Sequence, residues 1–168
     1  MKIYMTSGTF DYMKSIENKH SAETMLTMLD TDGALLLHET EGATLFNEPR
    51  KYEVIDSAGS LKKSGFIVMN NIPVTDEGKP IFEYRFKNRP GMIEQEPGFI
   101  AIRVLRPLSS NTYIILTQWE SESDFNAWQT SKAYDKAHEK RGTEEGIDKQ
   151  PNIFSSQSYV TKYYIPKE

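Results

Sequence analysis

The sequence predicts an α+β fold: an antiparallel sheet with helices packed on one face. Three observations lead there. Short apolar runs rich in strand-forming residues recur along the whole chain, some segments switch to helical spacing of three and four, and Gly-, Pro- and Asn-rich breaks separate them at short intervals. In the second half the elements fall in the order β-α-β-β-α-α-β, which is the ferredoxin-like order.

The first half opens with a strand at residues 2–8, followed by an amphipathic stretch from Phe10 to Lys19. Two apolar runs come next, Met25–Leu29 and Ala34–His38, and the Asp32-Gly33 pair between them signals a hairpin. Asn47-Glu48-Pro49 breaks the pattern, and the segment around Tyr52–Ile55 suits a strand or a short helix. The polar, Lys-rich stretch from Gly59 to Gly65 marks a boundary. It divides the chain into an N-terminal half, residues 1–64, and a C-terminal domain, residues 65–168.

The second half is more sharply punctuated. A strand runs from Phe66 to about Val74, with Pro73 implying an edge or a strand end. Lys79 to Asn88 has a helical period, and Pro90-Gly91 stops it. A strand from Phe99 to Arg106 ends at Pro107, and Ser109-Ser110-Asn111 turns the chain into a strand from Thr112 to Trp119. Ser121 and Asp124 stand at helix-cap spacing, with Phe125 and Trp128 on one face behind them. Ser131 can cap a second helix, Lys132 to Arg141, ended by Gly142, and the last strand is Ser158 to Ile165. The first half can supply β-α-β-β of similar pattern. Neither half can cover both faces of its own sheet, so the two sheets are expected to pack together.

Bulk properties narrow the function. The chain has 168 residues, 38% apolar, enough for a real core, and a net charge of −4 with no Lys/Arg-rich run. Nucleic acid is therefore an unexpected partner. No apolar stretch approaches the roughly 20 residues that span a bilayer, and no signal-peptide core opens the chain, so no membrane association and a cytoplasmic location are expected. Cysteine is absent, which excludes disulfides, thiolate metal sites and cysteine nucleophiles. There is also no phosphate loop, no paired-histidine metal motif and no nucleophile elbow.

Three histidines are available. His20 sits in a polar link and reads as solvated, and His38 ends an apolar strand and reads as structural. His138 lies on a helix beside Ala133 and Ala137, which leave room for a flat ligand, although such a histidine is often satisfied by packing alone. Trp128 belongs to the preceding helix and is either core or pocket wall. Asn70 and Asn71 are adjacent in a strand, so they face opposite sides, and the inward one requires a hydrogen-bond partner.

These residues carry a resemblance. Asn70-Asn71-Ile72, Arg85-Phe86 with Arg89, Glu96-Pro97-Gly98-Phe99, Leu105-Arg106-Pro107, Trp119-Glu120-Ser121, Phe125-Asn126-Ala127-Trp128 and Ala137-His138 resemble the IsdG-type heme-degrading monooxygenases of the antibiotic biosynthesis monooxygenase (ABM) superfamily. The whole chain is similar to a longer member with an additional N-terminal region. A long relative named for a signalling role shares the layout, but the Asn, Trp and His trio favours the heme degraders. The resemblance implies His138 as the axial iron ligand, Trp128 as the wall that distorts the porphyrin, and Asn70 as hydrogen-bond partner of the iron-bound oxygen species. Arg85 and Arg89 are then candidates for the propionates, and Phe86 for the pocket lining. Heme is implied as both substrate and oxygen-activating centre, with O₂ and electrons from an external reductase. Short members of the family are dimers. Here the N-terminal half can take the partner's place, so a monomer with two pseudo-symmetric halves is expected. A heme binder without turnover, a regulatory or stress protein on the same scaffold, and a cofactor-free quinol oxygenase are the competing readings.

Overall fold

In the computed structural model, which describes residues 1–87, 93–131 and 153–166, the strands are all antiparallel. They are β1 (Lys2–Gly8), β2 (Thr24–Leu29), β3 (Ala34–Thr40), β4 (Arg50–Gly59), β5 (Gly65–Pro73), β6 (Phe99–Pro107), β7 (Thr112–Trp119) and β8 (Tyr159–Ile165). The helices are α1 (Phe10–Lys19), α2 (Lys79–Lys87) and α3 (Glu122–Gln129). The segment around Tyr52 is a strand. The helix expected over Lys132–Arg141 lies outside the described residues.

Local chemistry accounts for the helix starts. The Thr9 side chain accepts the Tyr12 N–H at the head of α1, and the Ser121 hydroxyl accepts the Asp124 N–H at the head of α3. Pro73 is the last residue of β5, which has β8 on one side and β7 on the other, so β5 is not an edge strand. Proline is tolerated there because the ladder ends with it.

The strands close into one barrel in the order β1-β3-β2-β8-β5-β7-β6-β4. The two sheets expected to pack together are joined in this one barrel. β1 to β4 take the order fourth-first-third-second, β5 to β8 take the same order, and the two sets join edge to edge at β4–β6 and β2–β8. An open sheet edge leaves N–H and C=O groups without partners; β4–β6 pairs them along the strands, whereas β2 and β8 meet at one pair.

Period-two alternation then sorts the side chains. Ile3, Met5, Leu26, Met28, Leu35, Leu37, Tyr52, Ile67, Met69, Leu105, Ile114, Leu116 and Ile165 fill the barrel interior. The opposite parity faces the helices and forms three further clusters. Tyr4, Met13, Met25, Leu36 and Phe46 lie with α1, Ile72, Val74, Phe82 and Tyr113 with α2, and Phe66, Val68, Trp119 and Phe125 with α3.

Two polar devices tie the barrel together. Arg103 of β6 reaches Glu39 of β3, with Nε donating to the carboxylate at 2.6 Å and Nη1 donating to the carbonyls of Ala58 and Ile102. Both side chains of that pair are nearly buried, at 7% and 10% exposure, so the charge of each is tolerable only because of the other. At the β2–β8 seam a single register pair is formed, Leu29 with Tyr164. Beside it the carboxylate of Glu17, on α1, accepts the Thr27 N–H at 2.8 Å and binds Lys14. Burial works to raise the Glu17 pKa, but the hydrogen bonds from Lys14 and Thr27 outweigh it and hold the carboxyl below its ordinary value.

Candidate functional site

The strand that carries both asparagines separates them cleanly. Asn71 points into the barrel with Ile67 and Met69, is 6% exposed, and donates through Nδ2 to the carbonyls of Met69 and Tyr159 and to Thr161 Oγ1. Its polarity is thereby spent on structure. Asn70 takes the opposite face, between Val68 of the α3 cluster and Ile72 of the α2 cluster, and is half-buried. Its register neighbours are Ile115 on β7 and Val160 on β8. A polar amide thus stands on an apolar sheet face, at the junction of two aromatic clusters.

On one side of Asn70 stands the α3 cluster. Trp128 is half-buried and lies 5.5 Å from Trp119 and 6.1 Å from Phe125, ring centre to ring centre. Trp119 is fully buried, and its indole N–H donates to Thr117 Oγ1 at 3.0 Å. The hydrogen bond fixes Trp119, and Trp119 backs Trp128.

On the other side stands α2. Phe82 is wedged between Tyr113 at 4.7 Å and Phe86 at 4.8 Å. Glu83, one residue on, accepts from Arg106 on β6 and from the Tyr113 hydroxyl, while Arg106 also donates to Glu53 on β4. Burial raises the Tyr113 pKa and the hydrogen bond to Glu83 adds to it. Glu83 likewise holds the Arg106 guanidinium firmly protonated. Phe86, Glu83 and Arg106, with Ile55 and Asp56 of β4, line a cavity of about 360 Å³.

The structure therefore puts Asn70, Trp128 and Phe86 on one side of the sheet. Arg85 is exposed on α2 and does not line the cavity that Phe86 lines. His138 and Arg89 lie outside the described residues. His38 is buried, with Nε2 2.9 Å from Glu23 and its ring between Tyr4 and Phe46, while His20 at the end of α1 is half-buried. Among the described residues no group of three or more His, Cys, Asp and Glu could hold a metal ion. A flat apolar ring suits the surface that is present: half-buried Ile115, exposed Val160, the indole of Trp128 and one amide to direct a hydrogen bond. Sequence reading did not single out Glu83, Tyr113 and Thr117, and it gave Arg106 and Trp119 a place in a motif but no role. Glu83, Arg106 and Tyr113 meet across α2, β6 and β7 and have no local spacing signature, while Thr117 and Trp119 pair two residues apart on β7.

Residues 65–140 match the family model described as antibiotic biosynthesis monooxygenase. This stretch is an ABM domain. The chain is 28% identical over 130 residues to the heme-degrading monooxygenase of Listeria monocytogenes, covering 77% of this chain and 78% of that one. It is 22% identical over 170 residues to the signal transduction protein TRAP of Staphylococcus epidermidis, covering 100% of this chain and 99% of that one. Among solved structures, one described as a major regulator of staphylococcal pathogenesis superposes with a TM-score of 0.85 at 22% identity, over 99% of this chain and 100% of that one. A ferredoxin-fold protein of Listeria monocytogenes related to antibiotic biosynthesis monooxygenases gives 0.75 at 25% identity, over 99% and 95%. The ferredoxin-like ABM fold is thus shared across nearly the whole chain. The family model itself covers β5 to α3, the elements that carry Asn70, Phe86 and Trp128.

Proposed function

We propose that this chain is a heme-degrading monooxygenase, with residues 65–168 as the heme-binding domain and residues 1–64 as the half that completes the barrel within one monomer. The observation that carries the reading is the position of Asn70, a half-buried amide on the helix-bearing face between the aromatic clusters of α2 and α3. The similarity to a heme-degrading monooxygenase over most of both chains supports it.

In this reading His138 would ligate the iron, Trp128 would wall the ring and Asn70 would offer its amide as a hydrogen-bond partner. Arg89 is a candidate for the propionates. Bound heme supplies the oxygen-activating chemistry, with O₂ as oxidant and an external reductase as electron donor, and the products are iron and a bilin-like tetrapyrrole. The protein's own part is ligation, orientation and exclusion of water. The apolar row on β5, β7 and β8 takes the ring, and the Thr117–Trp119–Trp128 stack keeps the wall from yielding. The reaction belongs in the cytoplasm, where reductases are available.

The second reading, a regulatory protein without turnover, draws on the signal transduction relatives that span the entire chain. A hemin titration followed by ascorbate under air, with catalase present, separates the two. The enzyme gives a saturable Soret band that decays with iron release, and His138→Ala loses both. A stable complex with no decay makes the protein a binder, and no saturable binding removes heme from the account.

A further inference from the structure

The face that carries Asn70 continues onto β8. Register sets Val160 beside Asn70 and Lys162 beside Val68. The outward row of β8 is open: Val160 is 52% exposed, Tyr164 is 55% exposed, and Lys162 between them is exposed as well. An uncovered valine next to a half-buried isoleucine and an amide is the floor of a slot, not a finished core surface.

Lys162 closes that floor on the α3 side. Its ammonium lies 5.6 Å from the centre of the Phe125 ring, and Phe125 in turn packs on Trp128 at 6.1 Å. The ring face attracts the cation and holds it beside the aromatic wall rather than free in solvent. No carboxylate of the described residues forms an ion pair with it. The slot thus has an apolar floor, an amide, an indole wall and a cation held at its margin. A ligand that matches it is flat and apolar with carboxylates on one edge.

We propose that Lys162 receives a propionate carboxylate of the porphyrin, seating the ring over Val160, Ile115 and Asn70. This rests on the heme reading above and adds to it a charge contact absent from the family motif. The ammonium acts as a point charge with three donors, so it tolerates some freedom in where the carboxylate sits.

The test uses the full chain and two probes, hemin and hemin dimethyl ester, in which the carboxylates are capped. Binding is followed through the Soret band for wild type, Lys162→Met and Lys162→Arg. Met keeps the apolar stem against Phe125 and removes the charge. Lys162→Met is expected to weaken hemin binding about five-fold at low salt and to leave the ester unchanged, with Lys162→Arg close to wild type. The difference shrinks as ionic strength rises. Equal hemin affinity in Lys162→Met and wild type overturns the assignment, and so does an equal loss for hemin and ester, which would mark Lys162 as packing alone. Saturable hemin binding by wild type keeps these outcomes separate from the functional reading. Its absence overturns both.

Discussion

The barrel carries the same strand order twice, and its two outer faces are finished differently. Under α1 the face is filled. Met13, Met25, Leu36 and Phe46 are buried there, and even the polar His38 is sealed between Tyr4 and Phe46 with Glu23 on its ring nitrogen. Across α2 and α3 the corresponding face is left open at its middle, where Asn70 is half-buried and Val160 exposed. One helix with one loop aromatic can close a four-stranded face. Two helices that each build a separate aromatic cluster leave a slot between them. A polar residue on the filled face is a structural expense, and a polar residue on the open face is available for chemistry.

That contrast can be broken at Phe46. It comes from the loop before β4, is 8% exposed and covers His38. Phe46→Ala should cost about 3 kcal/mol of unfolding free energy in urea titration, the range for a large buried aromatic, and should leave hemin binding intact. A loss of hemin binding with no loss of stability would reverse the roles of the two faces.

Glu17 sharpens the comparison, because it closes the same face at the seam. Glu17→Gln keeps the shape and removes the charge, so the Thr27 N–H and Lys14 lose their strong acceptor. A loss of about 1–3 kcal/mol is expected at neutral pH. The carboxyl is held below its ordinary pKa, so its contribution is present above the ordinary carboxylate range and disappears as pH falls through the lowered folded-state value. Wild type and variant should therefore converge in stability in acid. A gap that persists unchanged there would mean the charge contributes nothing.

The smallest stability effect is expected on the open face. Asn70→Ala should change unfolding free energy by no more than about 0.5 kcal/mol, as for other side chains outside the core. It should instead slow the reductant-dependent loss of the Soret band while leaving hemin affinity near wild type. A large destabilisation would show that Asn70, like Asn71, is structural.

Much of this was readable from residues alone where the signal is local. Ser121 and Asp124 announced the start of α3, and the break at Gly59–Gly65 fell at the junction of β4 and β5. The period-two rule guaranteed that the asparagines part, and the pairing of Asn71 with Thr161 on β8 decided which one turns inward. What stayed hidden depends on which edges meet. Alternation along a strand tells its faces but says nothing of its neighbours, so barrel closure through β4–β6 and β2–β8 could not be seen. For the same reason Arg106 looked like the end of a motif, although it is the cation that binds α2 to β4 through Glu83 and Glu53. The order of elements predicted the ferredoxin-like pattern but was silent on the tying of its two copies by Glu39 and Arg103.

The position of β8 has a consequence for how the protein is made. That strand lies between β2 and β5, so the barrel cannot shut until residues 159–165 have left the ribosome, nearly the whole chain after β2. Until then the nascent chain carries two strand edges in search of a partner, and the last stave added both closes the ring and lays Lys162 beside the slot. Closure and completion of the open face are one event, and a chain caught before it has neither.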